Sequence, residues 1–342
     1  MHLIKPSKLN PGDTIAIISP SWGIAGDTNV LWRFELGKKR LFDVHGLHAV
    51  SAPHALKGSD YLRNNPEARA EDILWAFENK DVKAIIACIG GNASINLLPY
   101  LNCETIKNNP KILIGYSDIM NVHLYCYRLG LSTFYGHNLL TIISETPHYH
   151  GYSQKWFEKA LFDNSPIGII EPSADYSCDT MDYFNYNSDK HYHQNSGYIW
   201  LQGEGIAQGR LFGGHTGLME LEHTPLSVTA EDFRDSILFI EDIPEFFTPS
   251  HLADFIRWLG KLGALSLLQG ILIGKLSEPR EFTEHAKTML VVINYEYKLP
   301  HLPIVANMNF GHTSPMFILP YGVVAEINCK NRTVSITESG VV

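Results

Sequence analysis

Three short stretches of this chain are almost wholly apolar, and each stops at a turn. Thr14–Ser19 ends in Pro20-Ser21, Val82–Ile89 ends in Gly90-Gly91, and Lys111–Ile114 ends in Gly115-Tyr116. Amphipathic stretches lie between them. In Ala68–Asn79, for example, Ile73, Leu74 and Phe77 are spaced for one helical face. A strand with no polar side to alternate is covered on both faces, so strands of this kind between helices predict an α/β fold with a parallel sheet. Ligands bind such sheets at the carboxyl ends of the strands. Gly90-Gly91 and Gly115-Tyr116-Ser117 both stand there.

The chain has 342 residues, enough for about two domains. The strand–turn–helix rhythm runs to about residue 165, so residues 1–165 are expected to form an N-terminal domain. Residues 166–204 then break the rhythm as a linker and loop. Within them, the stretch from about 171 to 197 is polar, aromatic and without period, which marks a binding loop rather than a passive linker. Residues 205–342 resume with short strands at Gly209–Phe212, Ser236–Glu241, Gly270–Gly274, Ile304–Ala306 and Val323–Ile327. Helical segments are expected at Pro249–Leu262 and Thr283–Tyr297.

Composition removes several classes of function. Lys plus Arg is 27 and Asp plus Glu is 36, so the formal charge is −9. That is a poor balance for general binding of nucleic acid phosphates. No apolar run approaches the roughly 20 residues of a membrane span, and the N-terminus lacks the apolar core of a signal peptide. The five cysteines have no C-x-x-C pair, which fits a reducing cytoplasm. Sixteen histidines raise the question of a metal. However, His148-Tyr149-His150 and His191-Tyr192-His193 lack a third ligand at recognisable spacing, and no H-E-x-x-H occurs. Neither a metal nor a cofactor is expected.

Four places could carry chemistry. Ser117, in Gly115-Tyr116-Ser117-Asp118, sits between an apolar strand and a helical stretch, Ile119–Leu129. This is the place of a nucleophile elbow, although the usual glycine two positions later is Ile119. Ser117 could equally be a helix cap. Gly90-Gly91-Asn92 offers backbone N–H groups to an anion, as an oxyanion hole or a phosphate cradle, or makes a plain turn. Glu241 ends a buried strand and either orients a histidine or simply terminates at the surface. His312, in Asn309-Phe310-Gly311-His312-Thr313, is either a general base or a solvated loop histidine.

In their order along the chain, these signals and others resemble one family. The stretches are Pro11-Gly12-Asp13-Thr14-Ile15, Ser19-Pro20-Ser21, Ile89-Gly90-Gly91, Ile114-Gly115-Tyr116-Ser117-Asp118 and Thr133-Phe134-Tyr135-Gly136. They continue with Trp200-Leu201-Gln202-Gly203-Glu204-Gly205, Gly209-Arg210-Leu211-Phe212-Gly213-Gly214, Leu238-Phe239-Ile240-Glu241, Phe310-Gly311-His312-Thr313 and Leu319-Pro320-Tyr321-Gly322. The chain resembles the serine LD-carboxypeptidases over nearly its whole length. The Trp-Leu-Gln-Gly stretch and the aromatic loop place it nearer the microcin-immunity (MccF-like) branch than the murein-recycling branch.

The resemblance implies a flavodoxin-like or amidotransferase-like N-terminal domain, a smaller β-rich C-terminal domain, and an active site between them. It places the nucleophile on Ser117, the acid on Glu241 and the base on His312. The N–H groups of Gly91 and Asp118 would hold the oxyanion. It implies a cytoplasmic enzyme, often a homodimer, acting on a peptide or peptidyl-nucleotide amide. The two substrate types are an aminoacyl adenylate, as in processed microcin C, and a murein tetrapeptide that loses its terminal D-alanine. In the aromatic loop the family stacks tryptophan on a base, where this chain has Tyr176 and, near the later position, Tyr183. His215 replaces the family's Cys or Asn after Gly213-Gly214 and borders the expected pocket. Arg210, Lys275 and Arg257 are the candidate cations for a substrate carboxylate. Two readings from other classes remain: a non-catalytic nucleotide- or peptide-binding protein, and a metal hydrolase.

Overall fold

The computed structural model describes residues 3–186, 188–276 and 282–342. Two sheets organise them. The first has six strands in the order Leu319–Pro320, Phe134–Tyr135, Ile112–Gly115, Val82–Ala87, Thr14–Ile18, His48–Ser51. Every pair is parallel except that of Leu319–Pro320 with Phe134–Tyr135. The predicted apolar runs are its centre: all four residues of Ile112–Gly115 and five of the six in Val82–Ala87 are buried. Helices Leu31–His45, Pro66–Glu78 and Met120–Arg128 connect the strands. After Gly90-Gly91 the chain forms the 3-10 segment Ser94–Tyr100.

The second sheet has eight strands in the order Gly168–Ile169, Thr333–Ile336, Val324–Asn328, Ile206–His215, Ser236–Glu241, Gly270–Gly274, Ile304–Met308, Ile199–Gln202. Four consecutive strands in that order, Ile206–His215 to Ile304–Met308, are mutually parallel. Ser236–Glu241, Gly270–Gly274 and Ile304–Met308 are buried at every position, as continuous apolar strands should be. Helix Pro249–Leu262 covers this sheet with Leu252, Ala253, Phe255, Ile256 and Leu259. Thr248 caps it at one end, and Gly263 ends it in the left-handed conformation.

The segment between the expected domains does structural work, because Gly168–Ile169 and Ile199–Gln202 form the two edges of the second sheet. In return, Leu319–Pro320 crosses back to edge the first sheet. The aromatic loop closes at its base as a two-stranded ladder, Asp175–Tyr176 against His193–Gln194. Among the described residues no helix is long and apolar enough to cross a membrane.

Candidate active site

The carboxyl end of Ile112–Gly115 turns sharply into Met120–Arg128, and Ser117 sits in the turn with φ +65°. That left-handed backbone costs a non-glycine residue about 1–3 kcal/mol, and the surroundings must hold it. Asp118 does much of the holding. Its carboxylate accepts from the Ser21 hydroxyl, from Ala93 N (3.0 Å), Ser94 N (2.8 Å) and Asn121 Nδ2 (3.1 Å). Buried Arg69 donates to the carbonyls of Pro20 (3.0 Å), Ser21 and Ala93 (3.3 Å each), tying the same two loops together. The Gly90-Gly91 loop is thereby pressed on the serine. A Cβ on Gly90 would lie 2.8 Å from Ser117 Cβ and 2.9 Å from its Oγ.

The second sheet supplies two more groups from the ends of its parallel strands. Glu241 ends Ser236–Glu241 and is 2% exposed. His312 lies in the loop after Ile304–Met308. His312 Nδ1 stands 2.6 Å from Glu241 Oε2, and His312 Nε2 stands 3.1 Å from Ser117 Oγ. Gly311 has to be glycine here, since φ is +98° and a Cβ would lie 2.7 Å from Glu241 Oε2. The sheets thus bring Ser117, Glu241 and His312 into one hydrogen-bonded row.

The electrostatics of the row follow from burial and pairing. Burial disfavours the charge on Glu241. The imidazole of His312 and the hydrogen bonds from His312 and Tyr135 outweigh it, so the carboxyl is held below its ordinary value. Burial likewise disfavours the imidazolium of His312. The Glu241 charge and hydrogen bond outweigh it, with help from Asp242 and Glu245, and His312 is held above its ordinary value.

Tyr135 is a residue that the sequence placed in a motif but gave no role. Its hydroxyl donates to Glu241 Oε1 and accepts from Ser117 N at 3.1 Å. Burial and the Glu241 charge keep the phenol protonated. One side chain therefore joins the acid to the backbone of the elbow. The available signal was its position, at the carboxyl end of a parallel strand.

A cleft of about 710 Å³ opens over Ser117 and His312. Gly91, Asp118 and His215 line it, as expected for pocket residues. His215 ends its strand directly opposite Glu241, and its Nδ1 accepts from Gly217 N at 3.0 Å. Glu220, Asp242 and Glu245 also line it, and the sequence reading gave them no role. No Lys or Arg occurs among the described residues lining the cleft.

The expected cations lie elsewhere. Arg210 is five residues before His215 on one strand, about 16 Å along it at ~3.3 Å per residue, and donates to Gly322 O at 2.8 Å. Lys275 is buried and donates to Asn307 Oδ1 (2.6 Å) and Asn195 Oδ1 (2.9 Å), and burial pushes its ammonium down to about 7. Arg257 pairs with Glu296 at 2.8 Å on an exposed helix face. Tyr176 is buried with Lys275 Nζ 4.5 Å over its ring, and it does not line the cleft. Tyr183 meets Trp22 edge-on, with centroids 6.1 Å apart. Trp22 directly follows Ser21, which contacts Asp118 and the Gly91 loop, so Tyr183 stands on the Ser117 side of the site.

The paired histidines have local partners. His150 contacts Asp175 (3.0 Å) and caps Tyr152 N, and His191 contacts Asp179 (3.0 Å). Among the described residues no three His, Cys, Asp or Glu converge as metal ligands would.

Residues 15–136 match the LD-carboxypeptidase N-terminal domain, and residues 208–327 match the LD-carboxypeptidase C-terminal domain. The chain belongs to the LD-carboxypeptidase family. It is 31% identical to the putative carboxypeptidase YocD of Bacillus subtilis over 96% of this chain and 97% of that one. It is 28% identical to the microcin C7 self-immunity protein MccF of Escherichia coli over 98% and 96%. A structure of MccF with aspartyl sulfamoyl adenosine superposes with a TM-score of 0.84 at 25% identity, covering 99% of this chain and all of that one. An MccF-like protein from Streptococcus pneumoniae in complex with AMP gives 0.85 at 30% identity, over 94% and 98%. The parallel-sheet N-terminal domain and the β-rich second domain of this LD-carboxypeptidase family member are therefore those of the MccF structures.

Proposed function

We propose that the chain is a serine amidase of the carboxypeptidase type, acting on an aminoacyl-adenylate-like amide. The observation that carries this reading is the unbroken row Ser117–His312–Glu241 at the mouth of the cleft. His312 Nε2 takes the Ser117 proton as Oγ bonds to the amide carbonyl carbon. The N–H groups of Gly91 and Asp118 receive the resulting oxyanion; one such donor is worth about 3 kcal/mol. Glu241 holds the imidazole in the tautomer with Nδ1–H and stabilises the imidazolium. His312 then protonates the leaving nitrogen as the C–N bond breaks. Water repeats the cycle on the acyl-enzyme, and Ser117 regains its proton. Neither step uses a metal or a cofactor. The AMP and aspartyl sulfamoyl adenosine bound by the similar structures support a nucleotide on the leaving side. Tyr183, which meets Trp22 and does not itself line the cleft, is the aromatic proposed to stack on its base.

A second reading, release of a terminal D-alanine from murein tetrapeptide, draws on the acidic lining. Glu220, Asp242 and Glu245 suit an amine-bearing residue at the L-centre, and the D-alanine carboxylate has to bind away from them. Mass spectrometry of products from an aminoacyl sulfamoyl adenosine and a murein tetrapeptide separates the two. Ser117→Ala should lower kcat on the true substrate by about 10³-fold or more. Full activity of that variant would overturn the nucleophile, and loss of activity with a chelator would favour metal hydrolysis instead. Binding of both compounds by the wild type without turnover of either would favour a non-catalytic protein.

A further inference from the structure

Glu145 is fully buried, yet it has no place in the row above. Its carboxylate joins two segments far apart in sequence. Oε2 accepts from Ser314 Oγ at 2.6 Å, and Ser314 lies two residues after His312. Oε1 accepts from Tyr192 Oη at 2.7 Å and lies 3.3 Å from Lys190 Nζ, both in the aromatic loop. Tyr192 Oη and Ser314 Oγ are themselves 3.3 Å apart. The backbone repeats the connection, since Ser177 N donates to Ser314 O (2.7 Å) and Ser314 N to Ser177 O (2.9 Å). Lys190 N also donates to Thr146 O at 2.9 Å, and Thr146 Oγ1 to Ser188 O at 2.7 Å.

Glu145 itself is fixed from behind. Arg40 donates to the carbonyls of Ile143 (2.9 Å) and Glu145 (2.5 Å), and buried Arg33 to that of Ser144 (2.9 Å). The carboxylate is thus a rigid post. On one side it bears the histidine loop, and on the other the loop whose Tyr183 rests on Trp22 beside the oxyanion turn. A buried carboxylate is costly unless each oxygen is satisfied. Its two oxygens are satisfied by the two loops together, so displacing either loop strips a partner from the same carboxylate.

We infer that Glu145 is a positioning residue: it aligns His312 through Ser314, and does so only while the aromatic loop is docked through Tyr192 and Lys190. This rests on the reading of Ser117 and His312 as nucleophile and base. Docking of the loop is thereby coupled to proton transfer at Ser117, so a substrate held by the loop also organises the base that attacks it.

The test uses a small alkyl fluorophosphonate, too short to need the aromatic loop for binding. Ser117 Oγ bonds to phosphorus, fluoride leaves, and His312 takes the serine proton. The labelling rate therefore reports His312 alignment. Glu145→Gln and Tyr192→Phe should each slow labelling about tenfold, within the range expected for a misplaced base. The double variant should be no slower than the slower single one, because both act through one chain of contacts. Wild-type rates in Tyr192→Phe, or effects that multiply to about a hundredfold in the double variant, would overturn the inference alone. A wild type that is not labelled at Ser117, or is labelled independently of His312, would overturn the reading of the site and the inference with it. If Glu145→Gln does not fold, Tyr192→Phe decides, since it removes only a hydroxyl from a surface loop.

Discussion

The two sheets hold their parts of the site by different means. The first sheet holds Ser117, the proposed nucleophile, locally. Ser117 and Asp118 share one turn, and the loops that Asp118 grips come from neighbouring parallel strands of the same sheet. The second sheet holds Glu241 and His312, the proposed acid and base, through charge. Glu241 is buried and stays ionised because His312 and Tyr135 donate to it. Geometry strained by a backbone and geometry held by buried charge should fail differently when broken, the first through position and the second through protonation.

The largest expected effect is in the second sheet. Glu241→Gln should lower kcat by about 10⁴-fold, because the imidazole loses both its tautomer control and its counter-charge. The pH profile gives a second readout. The base must be neutral, and Glu241 raises the His312 pKa, so wild-type kcat/KM should rise with pH through an inflection above 6.5, the ordinary value. In Glu241→Gln the residual rate should rise through a lower inflection. An unmoved inflection would show that Glu241 does not set the charge of His312.

Asp118→Ala tests the first sheet. It leaves the Ser21 hydroxyl and Ser94 N–H without their acceptor, and Ala93 N–H with only Ser21 Oγ at 3.2 Å. We expect a loss of about 10²-fold in kcat from the displaced oxyanion loop, with no movement of the pH inflection. A shifted inflection would erase the distinction between the two halves. Tyr135→Phe lies across it, since that hydroxyl serves both sheets. It should cost about 1–3 kcal/mol of stability in denaturant unfolding, by leaving Ser117 N unpaired, and about tenfold in kcat. The smallest effect is expected from Glu245→Gln. Removing that charge should move the kcat/KM inflection to lower pH by less than Glu241→Gln does, because Glu245 contributes less to holding His312 protonated.

Much of the fold was legible in the sequence, for a local reason. Val82–Ala87, Ile112–Gly115 and Ser236–Glu241 announce parallel strands because burial on both faces leaves no polar period. Pro249–Leu262, expected as a helix, is one, with Thr248 capping its start and Gly263 ending it. Side-chain destinations at a distance were not legible. Arg210, Lys275 and Arg257 are equal candidates on paper, yet position along a strand or on an outer helix face sends each away from the cleft. Tyr176 looks like a free aromatic in a loop, but hairpin pairing turns it under Lys275. The acidic lining escaped notice because Glu220 is distant in sequence from Asp242 and Glu245, and only folding brings all three to one cleft.

By itself, then, the sequence determined the parallel sheet of the first region and the strand-to-helix turn at Ser117, which depend on periodicity and on turn residues a few positions apart. The β-rich second domain and the choice of Ser117, Glu241 and His312 came through resemblance to the family, not through periodicity. Only the tertiary structure decided that Ser117, Glu241 and His312 stand within hydrogen-bond reach, that Tyr135 and Glu145 brace them, and that the cleft wall is acidic. Those facts depend on sheet register and on how two sheets pack, which bring together residues separated by 71 and 195 positions.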